Sequence, residues 1–342
     1  LLFPLRFSFD KPDTHGFFGW LFDTLAGFDK PYNQAPSLHI VLLVILWVLY
    51  TRHLPRAWHW LLHVWFALIG VSVLTTYQHH FIDVPTGFWA GCFCVWLITD
   101  ASERWRLTGD PARWRIAAWY ALGALLIALF ACWVGARWPI ALWLWWPAGA
   151  LVLVALIYLF LGAPGFRKGT DGRYAWTTHV LFAPYFVGAW INSRWWTRSQ
   201  AGHNEVVPGL LLGRLATITD VKREGIASIV DLTAELSFSG PSVYHYRNEA
   251  LLDLSPISAA QLERIVNAIE QALSHGRTLV CCALGYSRSA LAVAAWLLAS
   301  GRASSADDAI EQVRKARSFV VLNNFHQQAL RDFAQQRATR GR

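Results

Sequence analysis

The rhythm of apolar and polar positions changes near residue 200. Upstream, apolar residues come in long runs separated by short basic loops, the pattern of helices long enough to cross a bilayer. These runs predict helices over Ser37 to Tyr50, Trp58 to Tyr77, from after Asp83 to about Ile98, Ile116 to Val134 and Ile140 to Leu161. Leu1 to Phe9 reads as the end of an apolar segment that begins upstream, and the stretch from Arg6 and Lys11 to Pro31 as a polar, aromatic-rich connection. Tyr174 to Trp196 is apolar too, but it holds Thr177, Thr178, His179 and Pro184 and is basic at both ends. It is read as an amphipathic helix lying in the membrane interface.

Downstream, short apolar runs alternate with helical periodicity, which predicts an α/β domain. Leu210 to Leu212, Ala227 to Leu232 and Thr278 to Cys281 read as strands, and Gln261 to Ser274, Ser289 to Ser300, Ser305 to Ala316 and Phe325 to Gln336 as helices, with Ser305 as an N-cap. Between the last of these strands and the helix after it lies Cys282-Ala283-Leu284-Gly285-Tyr286-Ser287-Arg288-Ser289. A loop feeding a helix N-terminus turns backbone N–H groups toward one point and makes an anion cradle that fits phosphate. A thiol facing those groups and a fixed cation is expected to be a thiolate near neutral pH, which makes Cys282 a phosphoryl-accepting nucleophile. Arg288 offers the planar fork that grips two phosphate oxygens. Gly285 permits close backbone approach, and Ser289 can donate to the departing sulfur.

Cys282-x5-Arg288-Ser289, set between a strand and an apolar helix, resembles the signature of dual-specificity protein tyrosine phosphatases, and the resemblance runs from about Gly202 to Gln336 and includes Ile229 to Glu235. It implies a phosphomonoesterase with a phosphocysteine intermediate, a substrate cradle of Ala283, Leu284, Gly285, Tyr286, Ser287 and Ser289, and an acid on a neighbouring loop. Asp253 lies at the upstream distance that the family uses; Asp231 is the rival, at a strand end that suits a structural hydrogen bond. Cys281 stands where members usually carry histidine, and is read as a small residue behind the cradle or as a partner for Cys282 under oxidation.

Composition sharpens the division. Of 342 residues 55% are hydrophobic and 15% charged, with 20 tryptophans, the profile of an integral membrane protein with a soluble tail. The net charge of +8 sits largely on arginines in loops between apolar runs, so it reads as topology and lipid contact rather than nucleic-acid binding. The five cysteines form no disulfide framework: Cys92, Cys94 and Cys132 fall in apolar helices. With Leu1 first and no methionine, the chain reads as a fragment or as one whose methionines are unwritten.

In the apolar half His39 starts one helix and His79 follows the end of the next, so antiparallel packing puts both at one membrane face. Asp83 lies four residues after His79, where its carboxylate can fix the ring's tautomer. Pro36-Ser37-Leu38-His39 and Ser72-x6-His79-x3-Asp83 resemble the second and third motifs of the type 2 phosphatidic acid phosphatase superfamily, near the inositol phosphorylceramide synthases. The resemblance implies His79 as a nucleophile that forms a phosphohistidine, Asp83 as its orienter and His39 as the acid for the leaving alcohol. Val73 stands where many members have arginine, the first motif reduces to Arg6 and Lys11 as phosphate-binding cations, and His80 is an alternative nucleophile.

The expected architecture is therefore a polytopic α-helical membrane bundle over residues 1–165, an interfacial linker over 166–200 and an α/β dual-specificity phosphatase domain over 201–342. Basic loops at 52–56, 104–115 and 167–173 place the tail in the cytoplasm and His39, His79 and Asp83 on the outer, periplasmic side of a bacterial inner membrane. The expected partners are membrane phospholipids or lipid phosphates. Phosphoproteins, or a tail that reads phosphate without turnover, are the alternatives. The cradle lacks a further cation for a highly charged inositide, which favours a singly phosphorylated headgroup. Neither chemistry calls for a metal or cofactor.

Overall fold

The computed structural model describes residues 15–28, 35–76, 78–98, 105–238, 240 and 245–340. Residues 1–14, Arg6 and Lys11 included, lie outside the described residues. The chain forms two compact units, Leu1–Ser102 and Glu103–Arg342, so the boundary expected after residue 165 falls inside the second.

Among the described residues the first unit holds four α-helices, α1 (Gly16–Phe28), α2 (Leu38–His53), α3 (His59–Thr75) and α4 (Asp83–Leu97). The first corrects the expected polar connection: its run of Phe17, Phe18, Trp20, Leu21 and Phe22 coils into a helix despite flanking polar residues. Ser37 is fully buried and caps α2, its hydroxyl accepting from Ile40 N–H. Gly87 lets α4 close on that cap, because a Cβ there would stand 2.7 Å from the Ser37 carbonyl oxygen.

The second unit opens with α5 (Pro111–Gly135), which starts on an Asp110 cap, and α6 (Trp145–Leu156). Among the described residues three stretches, Arg56–Thr75, Pro111–Gly135 and Pro139–Leu161, are long and apolar enough to cross a membrane. Trp60, Trp65, Trp119 and Trp133 stand exposed on them. The linker leads to α7 (Trp176–Trp196), which packs on α6 with Trp146 Nε1–H donating to Val180 O at 2.7 Å. Lys168, expected as one of the topology-setting charges, is instead drawn inward: its ammonium donates to Asp231 Oδ2 at 2.6 Å and to Thr233 O at 2.9 Å, both side chains being essentially buried. A carboxylate at the buried end of a strand needs a counter-charge, and Lys168 supplies it.

The tail is a five-stranded sheet in the order β1-β2-β5-β3-β4, built from β1 (His203–Val207), β2 (Leu210–Arg214), then α8 (Ile218–Glu224), β3 (Ser228–Thr233) and β4 (His245–Leu251), and after α9 (Ala259–Leu273), β5 (Thr278–Cys282). Only β1 pairs antiparallel; β2, β5, β3 and β4 run parallel. The helices α10 (Arg288–Ala299), α11 (Ala306–Ala316) and α12 (Asn324–Arg340) complete it, and Ser305 caps α11 as its sequence predicts. Strand alternation sorts β5: Val280 and Cys282 join the core under α9 and α10, whereas Leu279 and Cys281 join the opposite core with Val221 of α8. The two adjacent thiols therefore face opposite sides of the sheet, and both are free.

Candidate functional site

Parallel strands deliver their ends to one edge of the sheet, and the loop Cys282–Ser287 leaves the central strand there and enters α10. Cys282 is 2% exposed; its Sγ receives the Gly285 N–H at 3.2 Å and lies 3.2 Å from the Ser289 hydroxyl. Gly285 takes φ +74°, and a Cβ there would stand 2.4 Å from the Gly213 carbonyl carbon, so only glycine brings the loop this close to β2.

The cradle is shaped from behind. In a trans peptide the carbonyl and the next residue's N–H point in opposite directions. Arg317 donates from Nε to Gly285 O at 2.9 Å and reaches Leu284 O from Nη2 at 3.5 Å, while Val321 N–H donates to Tyr286 O at 2.9 Å. With those carbonyls held outward, the N–H groups of Gly285, Tyr286 and Ser287 turn to the sulfur side. Arg317 is 1% exposed and is itself fixed by Ala201 O and Asn204 Oδ1.

Arg288 is clamped in the same way. Nη1 and Nη2 form a fork onto Glu235, at 3.0 Å to Oε2 and 2.5 Å to Oε1, and Nη1 also donates to Leu251 O at 2.9 Å. Burial works against the charged guanidinium, but Asp253 and Glu235 hold its pKa well above the usual arginine value. Burial likewise opposes ionised Glu235, and the Arg288 charge and hydrogen bonds outweigh it, holding that carboxyl below its ordinary value. Arg288 Nε lies 3.2 Å from Asp253 Oδ1, close enough for an ion pair but not aligned as a hydrogen bond, so this buried N–H points into the site with no hydrogen-bond acceptor among the described residues. A phosphate oxygen can take it.

The structure thus brings together Cys282, Gly285, Arg288, Ser289 and Asp253. Asp231 is occupied elsewhere, accepting from Lys168, Tyr246 OH at 2.6 Å and Thr233 N–H at 2.8 Å. The thiol of Cys281 donates to Val230 O at 3.7 Å, and burial, with Asp231 next, pushes its pKa well up. Sequence reasoning did not assign Glu235 or Arg317. Each left a signal, Glu235 as an acid just past the apolar strand β3 and Arg317 as the last of three closely spaced cations before the apolar run Phe319–Leu322.

In the first unit His79 is 5% exposed and Asp83 fully buried. His79 Nδ1 lies 3.4 Å from Asp83 Oδ2, which also accepts the His80 N–H at 2.9 Å. On the other side of the ring, Nε2 lies 3.1 Å from His39 Nδ1 and 2.9 Å from Ser37 Oγ. Carboxylate, imidazole and imidazole stand in a row, and the Asp83 bond to His80 backbone fixes the turn that carries His79.

Residues 220–336 match the family model of the dual specificity phosphatase catalytic domain. Similar solved structures include PTPMT1 in complex with PI(5)P, at 19% identity and a TM-score of 0.38, over 42% of this chain and 100% of that one. Human DUSP28 aligns at 22% identity and a TM-score of 0.37, over 40% and 99%. The human tyrosine phosphatase-like serine/threonine/tyrosine-interacting protein does so at 21% and 0.36, over 40% and 97%. No curated protein matches the chain. The family match and the phosphate-shaped loop identify residues 220–336 as a dual-specificity phosphatase catalytic domain, and the protein as a phosphoric ester hydrolase.

Proposed function

We propose that this hydrolase handles lipid phosphoesters at two sites, a cysteine site in the tail and a histidine site in the first unit. In the tail, Cys282 attacks a headgroup phosphomonoester, Asp253 protonates the leaving oxygen, and water releases phosphate from the phosphocysteine while Ser289 donates to the departing sulfur. In the first unit His79 takes a phosphoryl-containing group from a lipid, with Asp83 holding its Nδ1 side and His39 protonating the leaving alcohol. Water or a second alcohol then receives the group. The carrying observation is the row Asp83–His79–His39, at 3.4 and 3.1 Å, in a chain that also bears the cysteine cradle. An ionisable row of this kind among apolar helices is costly unless it has work to do.

Labelled lipid phosphate tests the reading. Brief incubation and rapid quenching should leave an acid-labile, alkali-stable adduct on His79, which His79→Ala removes without affecting aryl phosphate turnover by the tail. His39→Ala should slow adduct formation about 10²- to 10³-fold. No adduct on His79 with any phospholipid would end the histidine half of the proposal. For the tail, Asp253→Asn is expected to slow alkyl phosphates about 10²- to 10³-fold and a nitrophenyl phosphate far less, since a good leaving group needs no proton. Equal loss on both substrates would remove Asp253 from that role.

A further inference from the structure

One further carbonyl of the cradle is held by a partner from outside the catalytic domain. Ala283 follows the cysteine directly, and its carbonyl oxygen accepts the Ser193 hydroxyl of α7 at 2.5 Å. Serine inside a helix ordinarily returns its hydroxyl to a carbonyl one turn back. Ser193 is 2% exposed and gives it to the phosphate loop instead. Three residues on, Trp196 O accepts the Tyr286 hydroxyl at 2.9 Å, and Gln200 Oε1 accepts it at 3.0 Å. Both contacts come from residues ahead of the segment 220–336 that matches the family.

We infer that Ser193 is a positioning residue for phosphoryl transfer: by holding the Ala283 carbonyl outward it turns the Leu284 N–H into the cradle, so the helix that joins the apolar segments to the tail completes the phosphate site. The inference rests on Cys282–Ser289 being the catalytic loop. Ser193 supplies for Ala283 what Arg317 and Val321 supply for the next three carbonyls, and with it the four N–H groups from Leu284 to Ser287 are aimed together. Losing it frees one peptide to rotate and withdraws one donor from a doubly charged phosphate.

The test uses the full chain in detergent micelles, in a His79→Ala background that silences the first unit, with a nitrophenyl phosphate as substrate and inorganic phosphate as competing anion. Ser193→Ala is expected to lower kcat/KM about tenfold and to weaken competition by inorganic phosphate by a similar factor. Its melting temperature should shift by no more than about 4 °C. Ser193→Thr keeps the hydroxyl and should recover both constants to within about threefold. A Ser193→Ala chain within about twofold of the parent in both constants, beside an inactive Cys282→Ser chain, overturns the inference. So does a threonine chain as impaired as the alanine one, which assigns the loss to packing. Turnover that survives Cys282→Ser instead overturns the reading of the loop, and the inference with it.

Discussion

Replacing Cys282 with serine should abolish hydrolysis of aryl phosphates by the tail, by about 10⁴-fold or more, while leaving phosphate binding intact. Serine has nearly the shape of cysteine, so the loop that wraps residue 282 need not move, and the Gly285 N–H and Ser289 hydroxyl that face Sγ at 3.2 Å can face Oγ. The hydroxyl is a far weaker nucleophile, and no imidazole or carboxylate among the described contacts of Cys282 stands ready to take its proton. Inorganic phosphate should still bind, because the N–H groups and Arg288 are untouched; retained binding with lost turnover separates nucleophile from cradle. The measurement belongs in a His79→Ala chain, so that the other site contributes no phosphate. A tail that only reads phosphate would bind equally well with cysteine or serine and turn over with neither.

Much of this was legible in the sequence because it is local. The strand, loop and helix around Cys282 follow from an apolar run, a glycine and an apolar helix in direct succession, and the contacts of Cys282 Sγ with Gly285 and Ser289 lie within seven residues. The His79–Asp83 spacing is local in the same way, and α2 begins where Ser37 predicts it. What was not legible depends on register between distant segments. β1 and β4 carry polar residues at the sheet's two edges, so their composition reads as loop until neighbouring strands pair with them. Ser193 and Ala283 are 90 residues apart, and Arg317 lies 32 from Gly285; nothing in either neighbourhood names its partner. Lys168 shows the opposite failure. A lysine in a basic loop reads as solvated, and only the buried end of β3 reveals that Asp231 claims it.

The acid at the back of Arg288 should matter strongly for the stability of the tail. Glu235→Ala leaves a buried guanidinium facing a void where two charge-assisted hydrogen bonds stood, and removing one partner of such a pair costs about 3–5 kcal/mol. Arg288 would then swing toward Asp253, the remaining acid within reach at 3.2 Å, and turnover should fall together with stability because both the grip on phosphate and the acid loop are disturbed. Glu235→Gln keeps shape and one acceptor, and should fold with a smaller loss. The acid limb separates the charge from the packing. Folded Glu235 has its pKa held below the ordinary 4.5, so its ionised form stabilises the fold fully above that value, and the contribution drains away as pH falls through the lowered folded value. Melting temperature followed from neutral pH downward should therefore decline more steeply in the native chain than in Glu235→Gln, the two curves converging in acid. Parallel curves would mean that the carboxylate charge does not hold Arg288 in place, and that packing alone sets the fork on which the phosphate would rest.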